Sequence, residues 1–299
     1  MSAAAAHASR PDNQADGAVW PVPAGLGRAV SADPFSQRVR QTFARGARHY
    51  DQEAVLQQAM AWRLAHLCRD LPLAAGPCAD LGAGTGLLSR ALQQHHPQLR
   101  ERPPLQLDLC TELLARNPLA GVNDPLAHHN RSDGGATNGL AWDLNEGLPG
   151  QLNNAALLAS SFALQWLEHP TRHLSQWCRQ LRPGGWLLLA VPTAGSFPQW
   201  RQAAERAGVP CTALLLPDAE ALRQAAISSG LSLHHDRRLC FSRPHQGGLR
   251  TLRHLQRLGA SASRRQRLSA GQLRRLLAHW PAASPLTWEV LLLIGQRRP

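Results

Sequence analysis

Asp80, Gly82, Gly84 and Gly86 stand at alternate positions in the run Ala79-Asp-Leu-Gly-Ala-Gly-Thr-Gly86 of this 299-residue chain. Glycines so placed let backbone amides approach a ligand with no Cβ in the way. A dinucleotide turn spaces its glycines G-x-G-x-x-G, so that a pyrophosphate meets the start of the next helix. Here the spacing is G-x-G-x-G, and an acid stands two residues before the first glycine. That carboxylate repels an anion and attracts a cation. The turn therefore predicts a ligand with positive charge, a bare tight turn being the alternative.

The flanking sequence must supply a strand before this turn and a helix after it. Cys78–Leu81 reads as the strand, and 87–96 as a helix closed by Pro97. A second strand over 105–110 leads to a helical start at Thr111, and strands at 155–161 and 186–191 enclose a helix over 173–181. Strand and helix alternate, which predicts a mainly parallel sheet covered on both faces. Before the sheet, Asp51 to Cys68 predicts one amphipathic helix with Asp51 as its N-cap. After it come helices near 196–207, 218–228, 248–258 and 269–279, with strands near 231–237 and 286–294. Residues 1–33 predict a disordered tail before a domain over 34–299. The polar stretch 121–139 predicts a surface loop.

Composition narrows the function. The chain carries a formal charge of +12, and every Lys+Arg cation is arginine. Eleven arginines and no acid lie between Arg237 and Trp288, so one end of the molecule is basic and suits an acidic partner. Six dispersed cysteines without a Cys-x-x-Cys pair fit a reduced, cytoplasmic protein. The fourteen histidines show no ligand spacing, so no metal site is expected. The apolar runs are too short to span a bilayer, and no membrane partner is expected.

The turn resembles the Asp-x-Gly-x-Gly-x-Gly motif of class I methyltransferases, whose S-adenosylmethionine is a sulfonium. The resemblance implies cofactor contacts at Asp80, Gly82, Ala83, Gly84 and Gly86. Asp108, ending the second strand, would accept from two ribose hydroxyls. Asp143, with Leu144, would meet the adenine amino group near the end of the third strand.

Five segments narrow the family: 43–57, 160–166, 181–185, 255–260 and 268–295. Together they resemble the malonyl-acyl-carrier-protein O-methyltransferases of biotin synthesis. The fold implied is α/β: a Rossmann-like, seven-stranded, mostly parallel sheet with helices on both faces. An added helical lid falls at about 34–70 and 196–280. The implied reaction methylates the free carboxylate of malonyl on an acidic carrier protein. That carboxylate is ionised at neutral pH, with a pKa of roughly 3 to 4. Orientation therefore suffices, and no catalytic acid or base is expected. Tyr50, Gln165 and Trp166 are candidates for the substrate pocket, where a donor such as an arginine is expected to meet the malonyl carboxylate. Arg250, Arg253, Arg257, Arg274 and Arg275 are candidates for carrier docking. Two features depart from the family: the 121–139 loop replaces a compact link, and the linker after 192–200 is short. Methylation of another small carboxylate or a quinone precursor is the alternative. RNA methylation is disfavoured, because the basic segment has few interleaved aromatics.

Overall fold

The structure, a computed structural model, describes residues 33–121, 138–244, 247–281 and 285–299. In chain order it forms α1 (Pro34–Gly46), α2 (Tyr50–Glu53), α3 (Val55–Cys68), β1 (Cys78–Leu81), α4 (Leu87–His95), α5 (Pro97–Glu101) and β2 (Leu105–Asp108). Next come α6 (Thr111–Leu114), β3 (Gly139–Ala141), β4 (Ala155–Ser161), α7 (Pro170–Gln180) and β5 (Leu181–Pro192). The chain ends with α8 (Pro198–Arg206), α9 (Ala219–Ser228), β6 (Leu231–Arg243), α10 (Gly248–Arg257), α11 (Ala270–Ala278) and β7 (Leu286–Arg297).

The seven strands form one sheet in the order β3-β2-β1-β4-β5-β7-β6. All pairs are parallel except β5–β7 and β6–β7. Strand side chains alternate between two cores. Leu187, Leu189 and Val191 of β5 face α7 and α9, packing with Trp177 and Leu222. Trp186, Leu188 and Ala190 face α3 and α4, packing with Met60, Leu64 and Leu92. Burial on both faces explains why the central strands read as apolar runs. The strand order reverses between β1 and β4, which run parallel, and open α/β sheets bind ligands beyond the strand ends at such a point.

The structure revises the elements around this frame. The expected 51–68 helix is two, broken at Ala54 (φ −83°, ψ 39°), which is fully buried. Asp51 therefore lies inside α2 and caps nothing. Asp33, expected to end the tail, instead caps α1 by accepting from the Phe35 and Ser36 amides. The rest of the tail, and residues 122–137 of the expected loop, lie outside the described residues. The helical cover is discontinuous. α3 packs on one face of the sheet, α9 packs beside α7 on the other, and β6 is a strand of it. β6 runs to Arg243 because it pairs with β7 as far as Leu286. What remains above the strand ends is α1, α2, α8, α10 and α11, of which α8, α10 and α11 share a separate core of Trp200, Leu255, Leu276 and Trp280.

Candidate functional site

The three glycines of the turn are needed for different reasons. All are left-handed, with φ of 77°, 53° and 80° at Gly82, Gly84 and Gly86. A Cβ on Gly82 would lie 2.1 Å from the Ala163 Cβ, and one on Gly86 2.4 Å from the Asn117 Oδ1. At Gly84 a Cβ would meet nothing closer than 3.8 Å. Its amide donates to the Asp108 Oδ2 at 2.8 Å. The Gly82 and Ala83 amides are taken by the Leu107 carbonyl at 2.8 and 2.9 Å, which pins the turn to β2.

Behind the turn runs a buried hydrogen-bond chain absent from the sequence reading. Asn117 Nδ2 donates to Gln106 Oε1 at 3.0 Å, and Gln106 Nε2 to Ser89 Oγ at 2.9 Å. The Ser89 hydroxyl donates in turn to the Asp80 Oδ2 at 2.7 Å, as does its amide at 3.2 Å. Asp80, 1 % exposed, is therefore directed into α4 and is no wall of the cavity. This corrects its expected place at the turn's mouth: it sets a negative field from behind the glycines. The polar Gln106, amid the apolar residues of β2, was the available signal for this network.

A cavity of about 680 Å³ opens in front of the turn, walled by Gly82, Gly84, Asp108, Asp143 and Leu144. Ala83 and Gly86 shape the turn without lining the cavity. Asp108 faces it while accepting from the Gly84 and Cys110 amides. Burial raises the Asp108 carboxyl to about 6. Burial raises Asp80 further, to about 7, against the lowering effect of its Ser89 hydrogen bonds. Asp143 is buried, and its Oδ1 accepts from Asn145. Its Oδ2 has no partner among the described residues. A buried acceptor left open beside the cavity suits an N–H donor on a ligand.

A second chamber of about 600 Å³ adjoins the first. Phe43, Tyr50, Phe162 and Trp166 line both. Tyr50 and Trp166 thus stand at the junction, and Gln165 lines the inner chamber alone. Phe162 and Phe197 hold left-handed backbones, φ 57° and 58°, and both line the inner chamber. Such strain costs about 1–3 kcal/mol and gathers at working sites. Nothing in the sequence marks it. No charged side chain among the described residues lines the inner chamber. The expected arginine for the malonyl carboxylate is therefore absent from that wall.

α2 carries Tyr50 and is tied on two sides. Asp51 accepts from Thr85 Oγ1 at 2.5 Å and from Arg90 at 3.1 Å, binding α2 to the glycine turn and α4. Glu53 meets His254 at 2.8 Å and Arg257 at 3.6 Å, binding it to α10. These ties hold α2 apart from α3 and explain the break at Ala54. Of the five docking candidates, Arg250, Arg253 and Arg257 line one outer groove. Arg274 and Arg275 are exposed on α11, away from it.

Comparison with known proteins agrees with this geometry. A model of the methyltransferase domain family matches residues 48–236. A malonyl-[acyl-carrier protein] O-methyltransferase from Dechloromonas aromatica is 30% identical over 274 residues, covering 88% of this chain and 95% of that one. The chain belongs to that family. A family member from Alcanivorax borkumensis is 34% identical over 195 residues, covering 65% of this chain and 61% of its own length. The bifunctional biotin-synthesis protein BioCD of Bordetella avium is 31% identical, and the chain spans 49% of it. The chain thus covers only part of these last two relatives. Among solved structures, YcgJ of Bacillus subtilis superposes with a TM-score of 0.52 at 15% identity, over 81% of this chain and 99% of that one. It shows the same fold. The turn, Asp108 and Asp143 border the first chamber, and the aromatic junction leads to the second.

Proposed function

We propose that the chain transfers the methyl group of S-adenosylmethionine to the free carboxylate of a malonyl thioester on an acyl-carrier protein, forming the malonyl methyl ester used in biotin synthesis. The observation that carries this reading is the common aromatic wall. A chamber suited to a nucleoside-bearing cation meets a second, uncharged chamber at Tyr50, Phe43, Phe162 and Trp166. The names of the family relatives support the choice of substrate.

The residues present fit the cofactor. Asp108 has lone pairs left for a pair of hydroxyls, and the open Asp143 Oδ2 suits an exocyclic amine. Leu144 and Leu113 provide flat apolar contact. When bound, S-adenosylmethionine supplies a methyl group on a sulfonium. The protein's part is to orient, to exclude water and to keep protons in place. Tyr50 stays protonated at any working pH, because burial and then the carboxylates of Asp108, Asp51 and Asp80 push its hydroxyl far up. It can donate to an acyl carboxylate at the junction but cannot act as a base. The uncharged inner wall also has a physical reason. Negative charge on the attacking carboxylate disappears as the ester forms, so an arginine would stabilise the starting state more than the transition state. An apolar chamber instead leaves the carboxylate attracted chiefly to the sulfonium.

We place the protein in the cytoplasm with the carrier as its partner. All six cysteines are free, and no described helix is long and apolar enough to cross a membrane. The direct test is to incubate the protein with S-adenosylmethionine and malonyl-carrier protein and to look for the methyl ester by mass spectrometry. Growth of a biotin auxotroph lacking this step is the cellular counterpart. Transfer to another carboxylic acid but not to a malonyl thioester would keep the two-chamber reading and overturn the substrate.

A pH dependence follows from the raised carboxyls. In the folded, ligand-free protein Asp80 and Asp108 sit at about 7 and about 6, above the ordinary 3.8. Between these values the folded state holds more protons than the unfolded one. Its stability therefore falls as pH rises from about 4 to about 7 on account of these two groups. A cation beside them favours ionisation, so its affinity rises through the same window. Melting curves from pH 5 to 8 should show S-adenosylmethionine stabilising the protein increasingly with pH. A constant increment across that range would refute the coupling.

A further inference from the structure

The outer groove does not end at the surface. It runs as an open groove between α2, α3, the end of β6 and α10. Gln57, Leu258 and Trp288 line both this groove and the inner apolar chamber. The three spaces therefore follow one another, from donor chamber through aromatic junction and acyl chamber to basic groove. A methyl donor and an acceptor approaching from opposite ends would meet at Tyr50.

The two ends of the groove differ in charge. At its inner end Glu53 engages His254 and Arg257, and a carboxylate there disfavours a second anion. At its outer end stand Arg243, Arg250 and Arg253. Arg243 and Arg253 have no carboxylate partner among the described residues. Arg250 and Arg253 are three residues apart on α10, so their side chains leave the helix on one face. Between the ends, Val55, 58 % exposed, and Phe241 give the groove an apolar floor. The rise along the helix from Leu258 to Arg250 is about 12 Å.

We infer that this groove receives the phosphopantetheine arm of the acyl carrier, with Arg250 and Arg253, flanked by Arg243, holding its phosphodiester. The assignment rests on the malonyl-thioester reading above and adds the path by which the thioester enters. A thioester arm of this kind is apolar along its chain, carries amides, and has one anion at its base. The groove and chamber match that sequence of chemistries. The amides need a donor and an acceptor within the tunnel. Two buried polar atoms without partners, the Trp200 Nε1 donor and the Gln165 Oε1 acceptor, belong to residues of the acyl chamber. The phosphodiester needs cations beyond the acyl chamber, and the outer arginines line the groove that adjoins it. A phosphate at Arg257 would face Glu53, so that arginine is assigned to holding α2.

The test compares two small substrates, malonyl-phosphopantetheine and malonyl-pantetheine, on the wild-type chain and on the Arg250→Gln/Arg253→Gln double variant. Hydrogen bonds to charged groups are strong enough to give the phosphorylated substrate an advantage in kcat/KM of about tenfold to hundredfold in the wild type. The double variant should lose that advantage through KM, with kcat and the unphosphorylated substrate unaffected. Equal use of both substrates by the wild type would overturn the groove assignment while leaving malonyl methylation standing. So would an equal loss on both substrates in the variant, which would report a structural effect. Methylation of neither substrate by a protein that methylates malonyl-carrier protein would overturn this assignment alone, and failure on malonyl-carrier protein as well, by a protein that binds S-adenosylmethionine, would overturn the malonyl reading with it.

Discussion

Gly82→Ala is expected to disrupt both the glycine turn and cofactor binding, with the larger stability loss of any single methyl added to the turn's cavity-lining glycines. The added Cβ would stand 2.1 Å from the Ala163 Cβ, a separation no rotamer change relieves because neither side chain has a rotamer. The backbone at φ 77° adds about 1–2 kcal/mol of left-handed strain, and overpacking of this kind adds about 1–3 kcal/mol. For a chain of this size the sum corresponds to a fall in melting temperature of about 5 to 15 °C. Gly84→Ala gives the contrast. It shares the left-handed strain, but its nearest neighbour is 3.8 Å away, so the smaller drop isolates the steric term. Differential scanning calorimetry of both variants checks the order. A Gly82→Ala protein that melts with Gly84→Ala, or above it, would contradict the packing of the turn against Ala163.

Asp108→Asn is expected to separate binding from stability. In the wild type, Oδ2 accepts from the Gly84 amide at 2.8 Å and Oδ1 from the Cys110 amide at 2.7 Å. An asparagine can accept only one of these and turns an N–H toward the other. It also loses the charge that would face the cofactor's hydroxyls. Hydrogen bonds to a charged acceptor are worth about 1.5–3 kcal/mol each, so losing two weakens S-adenosylmethionine by about a hundredfold or more. The free protein should lose much less. At pH 7 its buried carboxylate, raised to about 6, is ionised at a cost, and the neutral amide removes that cost while sacrificing one hydrogen bond. Titration calorimetry and thermal melts on the same preparation read the two effects. An unchanged dissociation constant would remove Asp108 from the binding site.

What could be read in the chain and what could not divide along physical lines. The strand, turn and helix around Gly82, Gly84 and Gly86 were legible, because each is fixed by its own residues within a dozen positions. Asp108 was legible for the same reason: strand and turn lengths place it opposite the glycines. The break between α2 and α3 was not legible. Ala54 is a helix-forming residue, and the break comes from ties to Thr85, Arg90, His254 and Arg257, which lie up to two hundred residues away. The direction of the Asp80 side chain was hidden too, since it depends on Ser89 folding back beneath the turn. The arginine spacing on α10 showed that three charges share a face. It could not show that the face borders a groove leading into the acyl chamber, or that Arg274 and Arg275 lie elsewhere.

The party wall between the chambers constrains how such an enzyme can change. Phe43, Tyr50, Phe162 and Trp166 each serve two rooms at once. On the proposed reading, a substitution that reshapes the inner chamber at any of the four also alters the chamber proposed to seat the methyl donor. Variation in acceptor preference is therefore channelled to the opposite wall, where Thr212, Leu214, Leu216 and Ser261 border the acyl room alone. Lineages that take up a new acid would be expected to diverge first at these four positions and to keep the aromatic partition intact.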